Sequence, residues 1–525
     1  MSEFAWIVLL MGSLGLPGNS PVRPEETIDA SRATLQQDLA GILSRSRLKE
    51  AAGVLIVSLD RGDTLFVHNP DLPLAPASNL KLFTTLAALY YLGPAFRYST
   101  YLLATGPVRD GVLEGDLVLY GTGDPTLSDR FGAGVLDALA DTLVSQGIRE
   151  IRGSVVGDAS YFGGPGIGGG WQDKYSNALY AAPASALSLS ENIAALEIRP
   201  AAVGGRPVVR IAPGGYGIDV VNRATTVAQG RTRVSVRRSG YESPLTIAGQ
   251  VSRSAGSVRY SVPVSDPALY AASALRESIE SRAIRVTDVK SVQDPGSSPL
   301  SGRSLFAPAL GLGGRVSVLA IHTSPPLLDV LEVVNKRSNN FMAEQVVRTI
   351  GRVASGDGSL VGGTRVVEAF AYQVLGVDSA SFRIFDGSGL SPLNRVSPSA
   401  FVKLLEFAAQ HSGWEAFWST LPQTGSPDGL RRMLGTEAQG RVRAKTGTIN
   451  QVSALSGYVQ ARNGEWLVFS IVNNHAPNSS RAKRVEDAIV IRLAHFERDN
   501  PTSVGTDPQA AVLGGVRLDS QSGIR

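Results

Sequence analysis

Three short clusters carry the side chains best suited to chemistry. Ser78-Asn79-Leu80-Lys81 opens the run Leu80 to Leu92, whose apolar residues Leu82, Phe83, Leu86, Leu89 and Tyr90 recur with helical period before Gly93-Pro94 stops it. Residues three apart share a helix face, so the Ser78 hydroxyl and the Lys81 amine meet within one turn. A serine hydroxyl is a poor nucleophile until a base takes its proton. A lysine can be that base once burial or nearby cations lower its pKa toward neutrality. The helix N-terminus adds positive dipole character that favours a developing alkoxide. The same residues also read as a serine cap with a solvated lysine. Ser338-Asn339-Asn340 lies between the helical patterns Leu327 to Lys336 and Phe341 to Ile350, where polar groups can face a cleft. Lys445-Thr446-Gly447-Thr448 directly precedes a strand-turn-strand pattern, and Gly447 is expected to let a substrate backbone approach the strand edge.

The elements that must position these clusters form a mixed chain. Val54 to Leu59 and Thr64 to His68 read as a hairpin around Gly62; Leu455 to Gln460 and Trp466 to Asn473 read as a second around Gly464. From about Tyr98 to Val286, short β-like runs alternate with Gly, Pro, Asn and Asp, which predicts β-rich modules. Helices are expected over Pro267 to Ser281, Pro398 to Gln410 and Arg481 to His495. The spacing of the trio shows where the length goes: 260 residues separate Ser78 from Ser338, and 107 separate Ser338 from Lys445. Something of domain size is therefore inserted in the first interval.

Composition narrows the classes further. The 525 residues are 43% hydrophobic with a net charge of +4, enough chain for a sizeable core and too balanced for general disorder. The absence of cysteine excludes disulfides, thiolate zinc sites, a cysteine nucleophile and a lipidated N-terminal cysteine. There is no run of five basic residues, so nucleic acid is not an expected partner. His68, His322, His411, His475 and His495 are scattered without ligand spacing, so no metal or other cofactor is expected. The apolar stretch Phe4 to Leu16 has the length of a signal core. It is atypical, with Glu3 and no Lys or Arg before it and no A-x-A after it. It predicts export to a periplasmic or extracytoplasmic site, with any membrane contact peripheral.

An S-x-x-K, an S-x-N and a K-T-G in that order form the signature set of the serine penicillin-recognising enzymes. The segments APASNLKLFTT (75 to 85), GTGDPTLS (121 to 128), YAAPASALSLSEN (180 to 192), RSNNFMAE (337 to 344), DGSGLSP (386 to 392) and AKTGT (444 to 448) resemble the D-alanyl-D-alanine carboxypeptidase/endopeptidase family, the low-molecular-mass class C penicillin-binding proteins of DacB type. The resemblance implies a multidomain α/β chain: a transpeptidase or β-lactamase-like α+β domain with nested β-rich insertions. The boundaries it suggests are a signal-like segment 1–26, a split catalytic part 27–97 and 301–500, an inserted unit 98–122 and 203–300, a further unit 123–202 nested in it, and a disordered tail 501–525.

By the same resemblance Ser78 is the acylated nucleophile and Lys81 its base. Ser338 and Asn340 relay a proton to the leaving D-alanine and hold the substrate amide. Lys445 lowers the Lys81 pKa and, with Thr446 and Thr448, grips the terminal carboxylate, while Ser78 and Thr448 N–H groups form the oxyanion hole. The implied partners are peptidoglycan stem peptides and β-lactams. Two positions depart from the family pattern. Pro392 stands where Arg is common after G-L-S, and Asp173 is out of register with the acidic residue expected before the A-P-x-S-A-L segment. A β-lactamase or esterase on this fold, or a non-catalytic cell-wall scaffold, remain the alternatives. Gly164 to Gly169 matches G-x-G-x-x-G formally but opens no helix and reads as a loop; Asp386-Gly387-Ser388-Gly389 reads as a turn; Trp414, Phe417 and Trp418 read as a packed helix face.

Overall fold

The computed structural model describes residues 30–46, 51–301 and 316–499. The signal-like segment and the tail lie outside these residues. The chain's two ends meet in one five-stranded antiparallel sheet. Its strands run in the order Val442–Ile449, Val452–Gln460, Trp466–Asn473, Ala52–Ser58 and Thr64–His68. Both expected hairpins are present, joined where Ala52–Ser58 pairs along its length with Trp466–Asn473. Both faces of the sheet are covered, so its central strands are apolar almost without alternation: eight of the nine residues of Val452–Gln460 are buried.

One face is closed by the terminal helices. Ala30–Ser46 carries Leu35, Leu39 and Leu43 four residues apart, and this stripe packs with Val485, Ile489 and Leu493 of Ser479–Ala494. The other face holds the helices Lys81–Tyr91, Leu327–Lys336, Asn340–Ser355 and Pro398–Gln410 around Phe83, Phe370, Phe382 and Phe401. Trp414–Thr420 packs here too, with Phe417 fully buried and Trp414 and Trp418 stacked on each other and against Tyr458.

The inserted region leaves and returns through paired strands. Ser317–Thr323 lies antiparallel to Ser99–Ala104 at the edge of a seven-stranded mixed sheet, in which Leu117–Gly121 and Arg285–Val292 both run parallel to Glu150–Asp158. This differs from the boundaries expected from sequence. Glu150–Asp158, expected in the nested unit 123–202, is central to the larger sheet, and Ser317–Thr323, expected in the catalytic part 301–500, belongs to that sheet as well. Two smaller sheets instead occupy residues 193–263: Ile193–Arg199 with Val208–Ala212 and Val258–Pro263, and a four-stranded one centred on Leu245–Ser252. Sequence-local β patterning cannot tell which sheet a strand joins, because the pairing partners can lie far apart: the partners of Ser317–Thr323 on Ser99–Ala104 are 213 to 224 positions away.

A buried charge cluster locks the chain ends together. The Arg498 guanidinium bonds both Asp63 oxygens at 2.7 and 2.8 Å and the Glu465 carboxylate at 2.5 Å, while Ser58 donates to Glu465. Burial pushes the Glu465 carboxyl up, but its bonds from Arg498 and Ser58 outweigh this, and the Arg498 bond also lowers Asp63. Arg498→Ala removes the bonded guanidinium from buried Glu465, leaving it Ser58 and Arg61 at 3.6 Å, and is expected to cost about 3 kcal/mol of stability at pH 7. Both carboxyl pKa values are depressed in the folded state, so the difference from wild type shrinks as the pH falls through the carboxylate range. Urea unfolding of both proteins across pH measures it.

Candidate functional site

Ser78 sits in a single 3-10 turn, Ala77–Leu80, that runs into the helix Lys81–Tyr91. Ala77 takes a left-handed φ of 47°, and no side chain caps either helix. Ser78 is therefore not a helix cap, and Lys81 is not solvated: its exposure is 0%. The Lys81 amine lies 2.9 Å from Ser78 Oγ, 2.7 Å from Asn340 Oδ1 and 2.7 Å from the Ser388 carbonyl. Burial pulls its pKa from the ordinary lysine value down to about 7, against the opposing pull of the Asp386 and Glu344 carboxylates.

The two oxygens other than Ser78 only accept hydrogen bonds. A neutral Lys81 amine that donates to both has its lone pair left for the Ser78 hydroxyl.

Ser338 occupies the turn between Leu327–Lys336 and Asn340–Ser355 with a φ of 54°. Asn339 caps the second helix by accepting from the Met342 N–H at 2.9 Å, which fixes Asn340 at its first turn. Asn340 Nδ2 donates to the Tyr180 carbonyl at 2.9 Å, so the inserted region helps to aim its Oδ1 at Lys81. The Lys445 amine donates to Ser338 Oγ at 2.9 Å and to the Thr446 carbonyl at 2.9 Å. Lys445 is 1% exposed, and its pKa is held well below the ordinary lysine value by burial first and by the Lys81 charge second. Burial is also the largest cause of the lowered Lys81 pKa.

Lys445, Thr446, Gly447 and Thr448 lie on the edge strand Val442–Ile449. Its outer edge is covered at one end, where the Thr424 N–H bonds the Val442 carbonyl and the Ala444 N–H bonds the Pro422 carbonyl. Backbone groups alternate direction along a strand, so Thr446 and Thr448 present theirs on the same outer side as Val442 and Ala444. Thr446 is half-buried and Thr448 exposed. Gly447 lets the serine turn pack against the strand. A Cβ there would lie 2.7 Å from the Pro76 carbonyl and 3.1 Å from both Ala77 Cβ and the Asn79 N–H nitrogen. Asn79 completes the junction by donating to Ser456 Oγ of the next strand at 2.8 Å. Gly447→Ala is expected to push the strand off the Ser78 turn and slow acylation about tenfold to a hundredfold in a folded protein; stopped-flow acylation beside circular dichroism checks it.

Two buried acids beneath Lys81 were not singled out by sequence, although both fall in the segments RSNNFMAE and DGSGLSP. Glu344 accepts from the Gly387 and Ser388 N–H groups at 2.9 to 3.1 Å and so holds the Ser388 carbonyl against Lys81. Asp386 organises its turn by accepting from the Gly389 and Ser391 N–H groups and Asn394, and it also accepts from the Trp171 indole at 2.8 Å. Burial and the Asp386 charge push the Glu344 carboxyl up. The turn reading of residues 386–389 stands, and the turn is part of the Lys81 pocket.

Of the two departures, Pro392 uses its carbonyl to accept from Arg395 at 2.8 Å, and Asp173 opens a short turn, Asp173–Asn177, facing Gly240. The 164–169 loop opens no helix; Arg348 holds its backbone through the Gly163 and Pro165 carbonyls. Among the described residues no cluster of three or more His, Asp or Glu could hold a metal.

The Glu344 charge favours the protonated lysine, so Glu344→Gln is expected to lower the Lys81 pKa further. The acid limb of the acylation rate should move down by about one pH unit, which acylation rates measured from pH 5 to 9 would show.

A hydroxyl held against a buried amine, a second serine-lysine pair opposite and a free strand edge beside them define a serine acyl-transfer site of the penicillin-recognising class. Comparison with known proteins agrees: residues 35–496 match the D-Ala-D-Ala carboxypeptidase 3 (S13) family, and the chain belongs to it. The chain is 35% identical over 516 residues to the D-alanyl-D-alanine carboxypeptidase of Actinomadura sp. (strain R39), covering 94% of this chain and 90% of that one. It is 25% identical over 460 residues to D-alanyl-D-alanine carboxypeptidase DacB of Haemophilus influenzae, covering 85% and 89%. The crystal structure of penicillin binding protein 4 (dacB) from the same organism matches with a TM-score of 0.69 at 25% identity, over 86% of this chain and 97% of that one. This is a serine-type DD-peptidase of mixed α/β fold.

Proposed function

We propose that the chain removes the terminal D-alanine of peptidoglycan stem peptides through an acyl-enzyme on Ser78. Neutral Lys81 takes the Ser78 proton as Oγ attacks the carbonyl carbon of the penultimate D-alanine. The oxyanion is held by the Ser78 and Thr448 N–H groups, the latter on the open side of the edge strand. Lys445 donates to Ser338 Oγ and leaves the Ser338 hydroxyl hydrogen free for the departing amine, so Ser338 passes a proton as the C–N bond breaks. Thr446 and Thr448, with Lys445, grip the substrate's terminal carboxylate, and Asn340 holds the peptide amide beside Lys81. The proton Lys81 took from Ser78 replaces the one Ser338 gave up, and the neutral Lys81 then takes a proton from the water that attacks the ester and returns it to Ser78 Oγ as the ester C–O bond breaks.

The observation that carries this reading is the fully buried Lys81 amine 2.9 Å from Ser78 Oγ with two acceptor-only partners. β-Lactams present a reactive carbonyl beside a carboxylate and acylate the same serine. The substrate places the work outside the cytoplasm; among the described residues no helix is long and apolar enough to cross a membrane. Fluorescent penicillin is expected to label wild type and not Ser78→Ala. In Ser78→Ala, D-alanine release from muropeptides, followed by mass spectrometry, is expected to fall about a thousandfold or more. Equal labelling of the variant, or release of no D-alanine by wild type, would defeat the reading.

A further inference from the structure

A half-open cavity of about 350 Å³ lies between the inserted region and the Asn340–Ser355 helix, away from the Ser78–Lys81 pair. Its wall contains the two arginines Arg238 and Arg348, which are 6% and 2% exposed. Arg348 has acids within electrostatic reach, Glu344 and Asp357, and donates to the Gly163 and Pro165 carbonyls. Arg238 has none. Its guanidinium donates to Ser265 Oγ at 2.9 Å and to the Pro263 carbonyl, its Nε has no partner, and it forms no ion pair among the described residues. The position is built, not incidental. The Arg238 backbone is clasped from both sides by the Asn177 side chain, which donates to its carbonyl and accepts from its N–H, both at 2.7 Å.

An arginine does not shed its charge in a protein, and a buried charge without a counter-ion is strongly destabilising. Buried arginines are accordingly almost always paired. A second asymmetry completes the site. Asp219 and Glu242 also line the cavity, both exposed and both without an ion pair among the described residues. The third acid there, Asp266, is already engaged by the Leu269 N–H and the Ser291 hydroxyl. The cavity thus offers a buried cation in its wall and free carboxylates among its exposed residues.

We propose that this cavity binds a small amino-acid zwitterion, its carboxylate on Arg238 and its ammonium toward Asp219 and Glu242. A guanidinium matches a carboxylate with two parallel hydrogen bonds, and the exposed acids select for an amine over a plain carboxylate. D-alanine is the probe of choice, because the family's reaction releases it and it carries both charges. The inference does not depend on the roles given to the Ser78 site.

Isothermal titration of the full-length Ser78→Ala protein with D-alanine, sodium acetate and inorganic phosphate tests it. Saturable D-alanine binding is expected, tighter than acetate, and weakened about tenfold or more in Arg238→Gln on the Ser78→Ala background. Should Arg238→Gln misfold, Asp219→Asn combined with Glu242→Gln alters only exposed side chains. That pair is expected to erase the preference for D-alanine over acetate while acetate binding is unchanged. Absence of D-alanine binding, undiminished binding in the folded Arg238→Gln protein, an intact preference in the Asp219, Glu242 double variant, or tighter binding of phosphate than of D-alanine would each overturn the proposal.

Discussion

The burial of one amine organises the whole site. Lys81 can act as a base near neutral pH only if water is kept from it, because a hydrated lysine stays protonated several units above that range. Removing water exposes the amine to a second demand, since each of its hydrogens needs an acceptor. Asn340 Oδ1 and the Ser388 carbonyl meet that demand, and each belongs to an element far away in sequence. The five-stranded sheet, the helical layer on its face and the inserted region that holds Asn340 from the other side all serve to keep this pocket dry and its acceptors aimed.

Charge balance explains why the pocket is layered. Burial alone would drive Lys81 further down; the Glu344 and Asp386 carboxylates oppose it and leave the amine near pH 7. Those acids are in turn held by backbone N–H groups of the 386–391 turn and by the Trp171 indole, so the inserted region reaches the Lys81 pocket through one hydrogen bond to Asp386. Lys445 is held low by the same dry surroundings and by Lys81 itself. The Lys81 charge therefore opposes protonation of Lys445, while the acids sustain that of Lys81.

Much of this was legible in the sequence, for local reasons. The three motifs, the helix after Ser78, the two hairpins and the helices Leu327–Lys336 and Pro398–Gln410 follow from periodicity and turn residues that act within a few positions. What was missed is non-local. Glu344 and Asp386 look like an ordinary helix residue and an ordinary turn acid until the fold places both beneath Lys81. The need for glycine at Gly447 against the Pro76–Asn79 turn is likewise invisible until the fold brings strand and turn together. Sheet membership in the inserted region is non-local as well, since Glu150–Asp158 has parallel partners on both sides that no local pattern announces.

The most direct test of the account is the pH dependence of the second-order rate constant for acylation of Ser78 by benzylpenicillin, measured on wild type from pH 5 to 11. The account predicts that the rate rises with a midpoint near the value of about 7 that burial gives Lys81, as the amine loses its proton. A rise with its midpoint near 10, the pKa of a hydrated lysine, would contradict it.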